Sequence, residues 1–361
     1  MKKRNGYIDF LKGIAIILVV FGHNIQYGSG SNYLQNEFFF DNIIFKFIYS
    51  FHMPLFAIIS GYLFFLTIKK YNTKMVIIKK IRSLLVPLLT CCTLNILVIS
   101  LNYYLEYKRI PPNLLENFMY LLSNSLWFLP AMFISSIIVL LIEKIKFKYK
   151  DIMYIIITIV MMILPNYLYF PLYFYMFPYF AVGYLYNKFK GPTAFNKIKN
   201  NHLVMLLIIM LFGITLSFYN YDSYIYTSSL SILNNKKQIL IDLYRYIIGF
   251  LGIIVIVYIS SFIYEKCKNK FIRLIEKIGK LSIGIYILSC YFNIYVFIKL
   301  ASGFIPNLFI WIIETLVTLT MFYLGASLID KVPILSKYIL GKEVKKWKII
   351  IKMLNGKKMV N

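Results

Sequence analysis

The feature that most constrains this chain is the recurrence of apolar runs of near-uniform length. Stretches able to cross about 30 Å of hydrocarbon as a helix lie at 8–28, 42–66, 83–104, 122–142, 152–168, 171–187, 202–219, 240–263, 279–299 and 304–328. Short loops rich in Lys and Arg separate many of them. In lipid the backbone must satisfy its own N–H and C=O groups, so such runs are read as transmembrane helices. Hydrophobic residues make up 60% of the 361 positions, and the mean hydropathy is +0.70. A soluble domain of this size cannot bury so much apolar surface. The expected fold class is therefore all-α: a polytopic integral membrane protein of about ten transmembrane helices, multi-pass in the cell membrane.

The net charge of +26 would suit a nucleic-acid partner if it formed a patch on a binding fold. It does not, because the basic residues fall in clusters between apolar runs and no nucleic-acid motif accompanies them. Such clusters orient spans and attract anionic membrane lipids. With a cytoplasmic N-terminus, 32 basic residues fall on the inner side and seven on the outer, with Lys12 inside the first span. That asymmetry supports ten spans with both termini cytoplasmic. Asp9 and Lys12 interrupt the apolar core that a signal peptide would need, so the N-terminal run is read as an uncleaved first span. The expected organisation is a transmembrane domain over 1–330 and a basic cytoplasmic tail over 331–361. Cys91, Cys92, Cys267 and Cys290 have no metal-ligand spacing, and no metal is expected.

Ionisable groups at membrane depth are costly and point to function. The first span, "IDFLKGIAIILVVFGH", carries Asp9, Lys12 and His23. Lys12 and His23 are eleven positions apart, three turns plus about 20°, so they share a face, with Asp9 close to it. Structural alternatives are an acid at a helix N-terminus, a snorkelling Lys and a His bonded to a carbonyl. Histidine is otherwise scarce. The chain has only His23, His52 and His202, and His202 opens a span at the inner interface. His52 sits in "FIYSFHMPLFAIISGYLFF", where Pro54 denies the Ser50 carbonyl its helical donor and Gly61 permits a close neighbour. Two histidines on consecutive helices of a hairpin could then face one another across a polar cavity.

These two motifs, with "KKIRSLLVPLL", "SLWFLPAMF", "FPYFAVGYL" and "GKLSIGIYILS" following in order, resemble the membrane-bound acyltransferase 3 family, in particular its sugar O-acetylase branch. The resemblance implies about ten helices and transfer of an acyl group, usually acetyl from acetyl-CoA, to a hydroxyl of a surface carbohydrate. The family's first-helix basic residue and histidine fall on Lys12 and His23, and its paired basic motif falls on Lys79 and Arg82. Lys at the first of each pair keeps the charge but lacks the bidentate fork of Arg. Ser289 stands where relatives often carry His, and no role is transferred to it.

Acyl transfer to a hydroxyl needs a base, charge stabilisation at the tetrahedral oxyanion, a place for the donor's phosphates and a groove for the sugar. In this reading His23 is the base or a transient acetyl carrier, and His52 its partner or an oxyanion donor. Asp9 orients Lys12, and Lys12, Lys79 and Arg82 meet the donor's phosphates. For Lys79 and Arg82 the alternative is plain orientation signalling. Trp127 is a sugar-stacking platform or an interfacial belt residue, and Arg245 meets an anionic acceptor. No permanently bound cofactor is expected. The expected partners are acetyl-CoA as acyl donor, a carbohydrate acceptor that is lipid-linked or already polymerised, and membrane lipids. The competing function class is a polysaccharide transporter, flippase or polymerase without acyl transfer.

Overall fold

The computed structural model describes residues 5–28, 38–165, 167, 170–189, 191, 199–227, 230–232, 236–267, 269–291 and 304–343. Among these residues every regular element is helical. The helices are α1 (Gly6–Gly28), α2 (Ile43–Lys70), α3 (Thr73–Tyr107), α4 (Leu114–Asn124), α5 (Phe128–Lys144), α6 (Ile152–Ile163) and α7 (Phe170–Lys188). They continue with α8 (His202–Ser217), α9 (Gln238–Lys266), α10 (Lys270–Lys280), α11 (Ser282–Tyr291), α12 (Phe304–Lys331) and α13 (Pro333–Tyr338). The described part of each apolar run picked out above lies largely on one or two of these helices. Five of them, α1, α2, α3, α9 and α12, are long and apolar enough to cross a membrane, and α4 with α5 makes a sixth if the pair is one span.

That pair departs from the single 122–142 run. A 69° bend separates α4 from α5, just ahead of Pro130. Proline has no N–H to give to the carbonyl four residues back and fits best in the first turn of a new helix. The Phe128 N–H instead reaches the Tyr286 hydroxyl, 3.4 Å away on α11. The continuous helix 73–107 contains one wide π-helical turn at Ile81–Leu85, and such turns often mark functional segments.

The bundle is organised around α2, which packs against α1, α7 and α9. Its tightest contact is with α7, where Gly61 and Gly183 lie against each other's helices. A Cβ on Gly61 would fall 1.9 Å from the Phe180 carbonyl oxygen, and one on Gly183 would fall 2.1 Å from that of Ile58. Close backbone approach at small residues is how helices associate in lipid, where burial of apolar side chains provides little net drive. The sequence KFIRLIEKIGK of α10 places Ile272, Ile275 and Ile278 on one buried face and charges on the other, the pattern of a helix lying along an interface. It covers the first half of α1.

The chain does not leave the bundle after 330. Helix α13 and the residues following it fold back, and Leu340 is buried. Residues 331–343 thus pack on the helical domain, and the remainder of the expected tail lies outside the described residues.

Candidate active site

A cavity of about 400 Å³ opens between the helices and is lined by both His23 and His52. Its size is typical of a small-molecule site. Helices α1 and α2 deliver one imidazole each to a shared space. His52 is buried, and its Nδ1 lies 2.8 Å from the Ile48 carbonyl oxygen. A carbonyl can only accept, so Nδ1 carries the proton of the neutral ring and Nε2 keeps its lone pair. The ring of Tyr49 stands edge-on to His52 at 4.7 Å. The Tyr49 hydroxyl donates to Gln26 Oε1 at 2.8 Å, tying α2 back to α1 one turn beyond His23.

The remaining wall is aromatic and hydroxylic. Tyr175 from α7, Tyr286 from α11, Tyr226 from the segment after α8, and Trp127 from the α4–α5 break all reach the cavity. Trp127 is buried and edge-on to Tyr226 at 6.0 Å. It thus belongs to the cavity wall rather than to a lipid-facing belt. Ser289 also lines the cavity, its hydroxyl donating to the Tyr286 carbonyl at 2.8 Å.

Arg245 reaches the same cavity, but its guanidinium is engaged by the protein. Nη1 donates to Asp242 at 2.9 Å, Nε to the Ser223 carbonyl at 3.0 Å, and Nη2 to the carbonyls of Asp222 and Tyr224 at 2.8 and 3.2 Å. Arg245 therefore clamps the segment that carries Tyr224 and Tyr226 over the site. Breaking a buried ion pair on one side leaves the other charge stranded. Arg245→Met is expected to cost about 3–5 kcal/mol, read as a lower melting temperature in detergent. Arg245→Lys should restore little, because an ammonium cannot reach Asp242 and three diverging carbonyls together.

The other sequence candidates lie toward the opposite end of the bundle. Lys12 is about 16 Å from His23 along α1, and Lys80 adds a further cation on α3. Lys80 also lies over the rings of Phe64 and Phe180, at 4.7 and 5.9 Å. Asp9 lies one turn before Lys12 on α1. It is buried under α10, where a Cβ on Gly279 would fall 1.8 Å from the Asp9 carbonyl oxygen. Lys79 and Arg82 both bond to Glu343 Oε1, with Lys79 Nζ at 2.5 Å. Burial pushes the Glu343 carboxyl up, but the bonds from Lys79 and Arg82 outweigh it and hold the group below its ordinary range.

The acyltransferase domain family matches residues 5–330. The chain belongs to the acyltransferase 3 family. Among curated proteins, this member of the family is 29% identical over 238 residues to nodulation protein NolL of Sinorhizobium fredii (strain NBRC 101917 / NGR234), a match covering 64% of this chain and 63% of the relative. It is 37% identical over 131 residues to nodulation protein NolL of Mesorhizobium japonicum (strain LMG 29417 / CECT 9101 / MAFF 303099), covering 36% and 34% of the two chains. The matched region thus spans less than two thirds of either relative. No solved structure matches the chain.

For this acyltransferase family member, the structure adds residues to the candidate set. Gln26 is one turn from His23, and Tyr49 one turn before His52, so helical spacing alone would have placed them on the histidine faces. Lys80 and Glu343 carry no such signal, since each gains its meaning from a helix distant in sequence.

Proposed function

We propose that this protein is an integral membrane O-acyltransferase that moves acetyl from acetyl-CoA to a hydroxyl of a cell-surface polysaccharide or of its lipid-linked precursor. One observation carries the reading: in a chain of the acyltransferase 3 family, His23 and His52 enter one cavity whose walls offer tyrosine hydroxyls and an indole. The proposed topology has ten spans and both termini in the cytoplasm, with the histidine cavity in the outer half and the Lys79–Arg82 pair near the inner face. Donor phosphates would be held at that pair, with Lys12 and Lys80 beyond it, and the acyl arm would extend along α1 toward the histidines.

In this scheme the acceptor sugar lies against Trp127 and the tyrosines. With its proton fixed on Nδ1, neutral His52 can accept at Nε2 but cannot donate there, which favours a partner role over that of oxyanion donor. His52 would orient His23 by accepting its N–H, leaving the other nitrogen of His23 as the base. That nitrogen takes the proton of the acceptor hydroxyl as its oxygen bonds to the thioester carbonyl carbon. The tetrahedral adduct then collapses with cleavage of the C–S bond, and the proton passes from His23 to the departing thiolate. Asp9 would orient Lys12, three residues further along α1.

The test is transfer of label from acetyl-carbon-labelled acetyl-CoA in inside-out vesicles carrying the acceptor glycan. Label is expected in the glycan fraction. Vesicles that contain folded protein and translocate glycan without acquiring label would overturn the reading in favour of a transporter.

A further inference from the structure

The reading of Lys79 and Arg82 as the donor-phosphate site, on which this inference rests, leaves an observation unused. That pair is occupied by an acid from the far end of the chain. Glu343 follows α13 and is 264 residues from Lys79, yet both cations converge on its single oxygen Oε1. The basic site retains unused capacity. Among the described residues, Nε and Nη1 of Arg82 are buried and have no hydrogen-bond partner. A guanidinium matches two oxygens of a phosphate side by side, whereas here one carboxylate oxygen meets only its Nη2. Glu343 fills the site incompletely.

Its delivery is built into the fold. Gly341 has φ +64°, and a Cβ there would fall 2.5 Å from the Arg82 carbonyl oxygen and 2.7 Å from Ser83 Cα. Only glycine meets both demands without strain. The chain thus turns directly on the π-helical turn that carries Arg82. Lys342 fixes the turn from the other side: its N–H donates to the Ser336 carbonyl at 3.1 Å, and its Nζ pairs with Asp330 at 2.5 Å. The Ser336 hydroxyl donates to the same Asp330 carboxylate at 3.1 Å.

We propose that Glu343 is an internal occupant of the Lys79–Arg82 phosphate site, displaced when the phosphate-bearing acyl donor enters. The exchange is of like for like: one anion leaves two cations and a better-matched anion takes its place, with no covalent change. Glu343 would thereby keep the basic pair ordered and neutralised between turnovers. It would also set the affinity for the donor, since every binding event must first break its ion pairs.

The full chain in phosphatidylcholine nanodiscs provides the test, with coenzyme A as probe. Glu343→Gln is expected to bind coenzyme A about three- to tenfold more tightly than the wild type. Asp330→Asn, which loosens the turn without touching the site, should shift affinity the same way. Saturating coenzyme A should accelerate tryptic cleavage after Lys342 in the wild type. Unchanged or weaker binding by Glu343→Gln, with cleavage indifferent to coenzyme A, would overturn the proposal. Failure of the underlying reading looks different: Lys79→Gln/Arg82→Gln would then bind coenzyme A as the wild type does, rather than at least tenfold more weakly. Accelerated cleavage in phosphatidylglycerol nanodiscs without coenzyme A would assign displacement to a lipid headgroup and overturn the donor as the displacing ligand.

Discussion

His23→Ala and His52→Ala are each expected to reduce the proposed acetyl transfer by about 10²–10⁴-fold while leaving the protein extractable and monodisperse. The size follows from what each substitution removes. Without His23 the acceptor hydroxyl loses the base that the proposed scheme places beside it. Without His52 the Nε2 acceptor is gone, together with the Nδ1 bond to the Ile48 carbonyl that sets its direction. Both positions line a cavity rather than fill a packed core, so truncation adds space where space already exists. If the two imidazoles act as a unit, the double variant should be little worse than either single one. Initial rates with labelled acetyl-CoA, normalised to folded protein, give the answer. Residual transfer above a tenth of the wild-type rate in His23→Ala would remove that residue from the chemistry.

Gly61→Ala is expected to destabilise the bundle by about 3 kcal/mol, the upper part of the usual range for overpacking. The added methyl would fall 1.9 Å from the Phe180 carbonyl oxygen and 2.9 Å from the Tyr184 nitrogen. Both are backbone atoms, so no side-chain rotation relieves the clash and α2 must move away from α7. Those helices carry His52 and Tyr175, so the cavity would open as the bundle loosened. A lower melting temperature in detergent and a parallel loss of transfer are the readouts. Gly213→Ala is the control, because nothing lies within 4 Å of its added Cβ and alanine favours a helix. Equal melting temperatures for the two variants would show that the α2–α7 contact is not tight.

The motif residues were legible to different degrees for identifiable reasons. His23 and His52 stand out because an imidazole in an apolar run is expensive, and that cost is written locally. Their sharing one cavity was also readable, since consecutive membrane helices often pack as neighbours. The role of Arg245 was not. As one charge at the start of a span it looks available to a ligand, and only the fold shows Asp242 and three loop carbonyls around it. Trp127 could be a belt residue or a cavity wall by sequence, and the bend before Pro130 turns it inward. Asp9 falls near the Lys12–His23 face by helical arithmetic, while the close packing of Gly279 on its backbone carbonyl is visible only in the fold.

Sequence by itself determined that this chain forms apolar helices, where most of them begin and end, and which few polar groups they carry into the apolar layer. Those properties depend on run length, proline position and the cost of charge, all read over a few turns. Tertiary structure alone decided which helix faces meet. In lipid an outward face and an inward face can be equally apolar, so periodicity does not tell them apart. The decision falls to contacts between distant positions: Gly61 against Phe180, Arg245 against Ser223, and Glu343 on the Lys79–Arg82 pair that sequence had left open for a donor's phosphate.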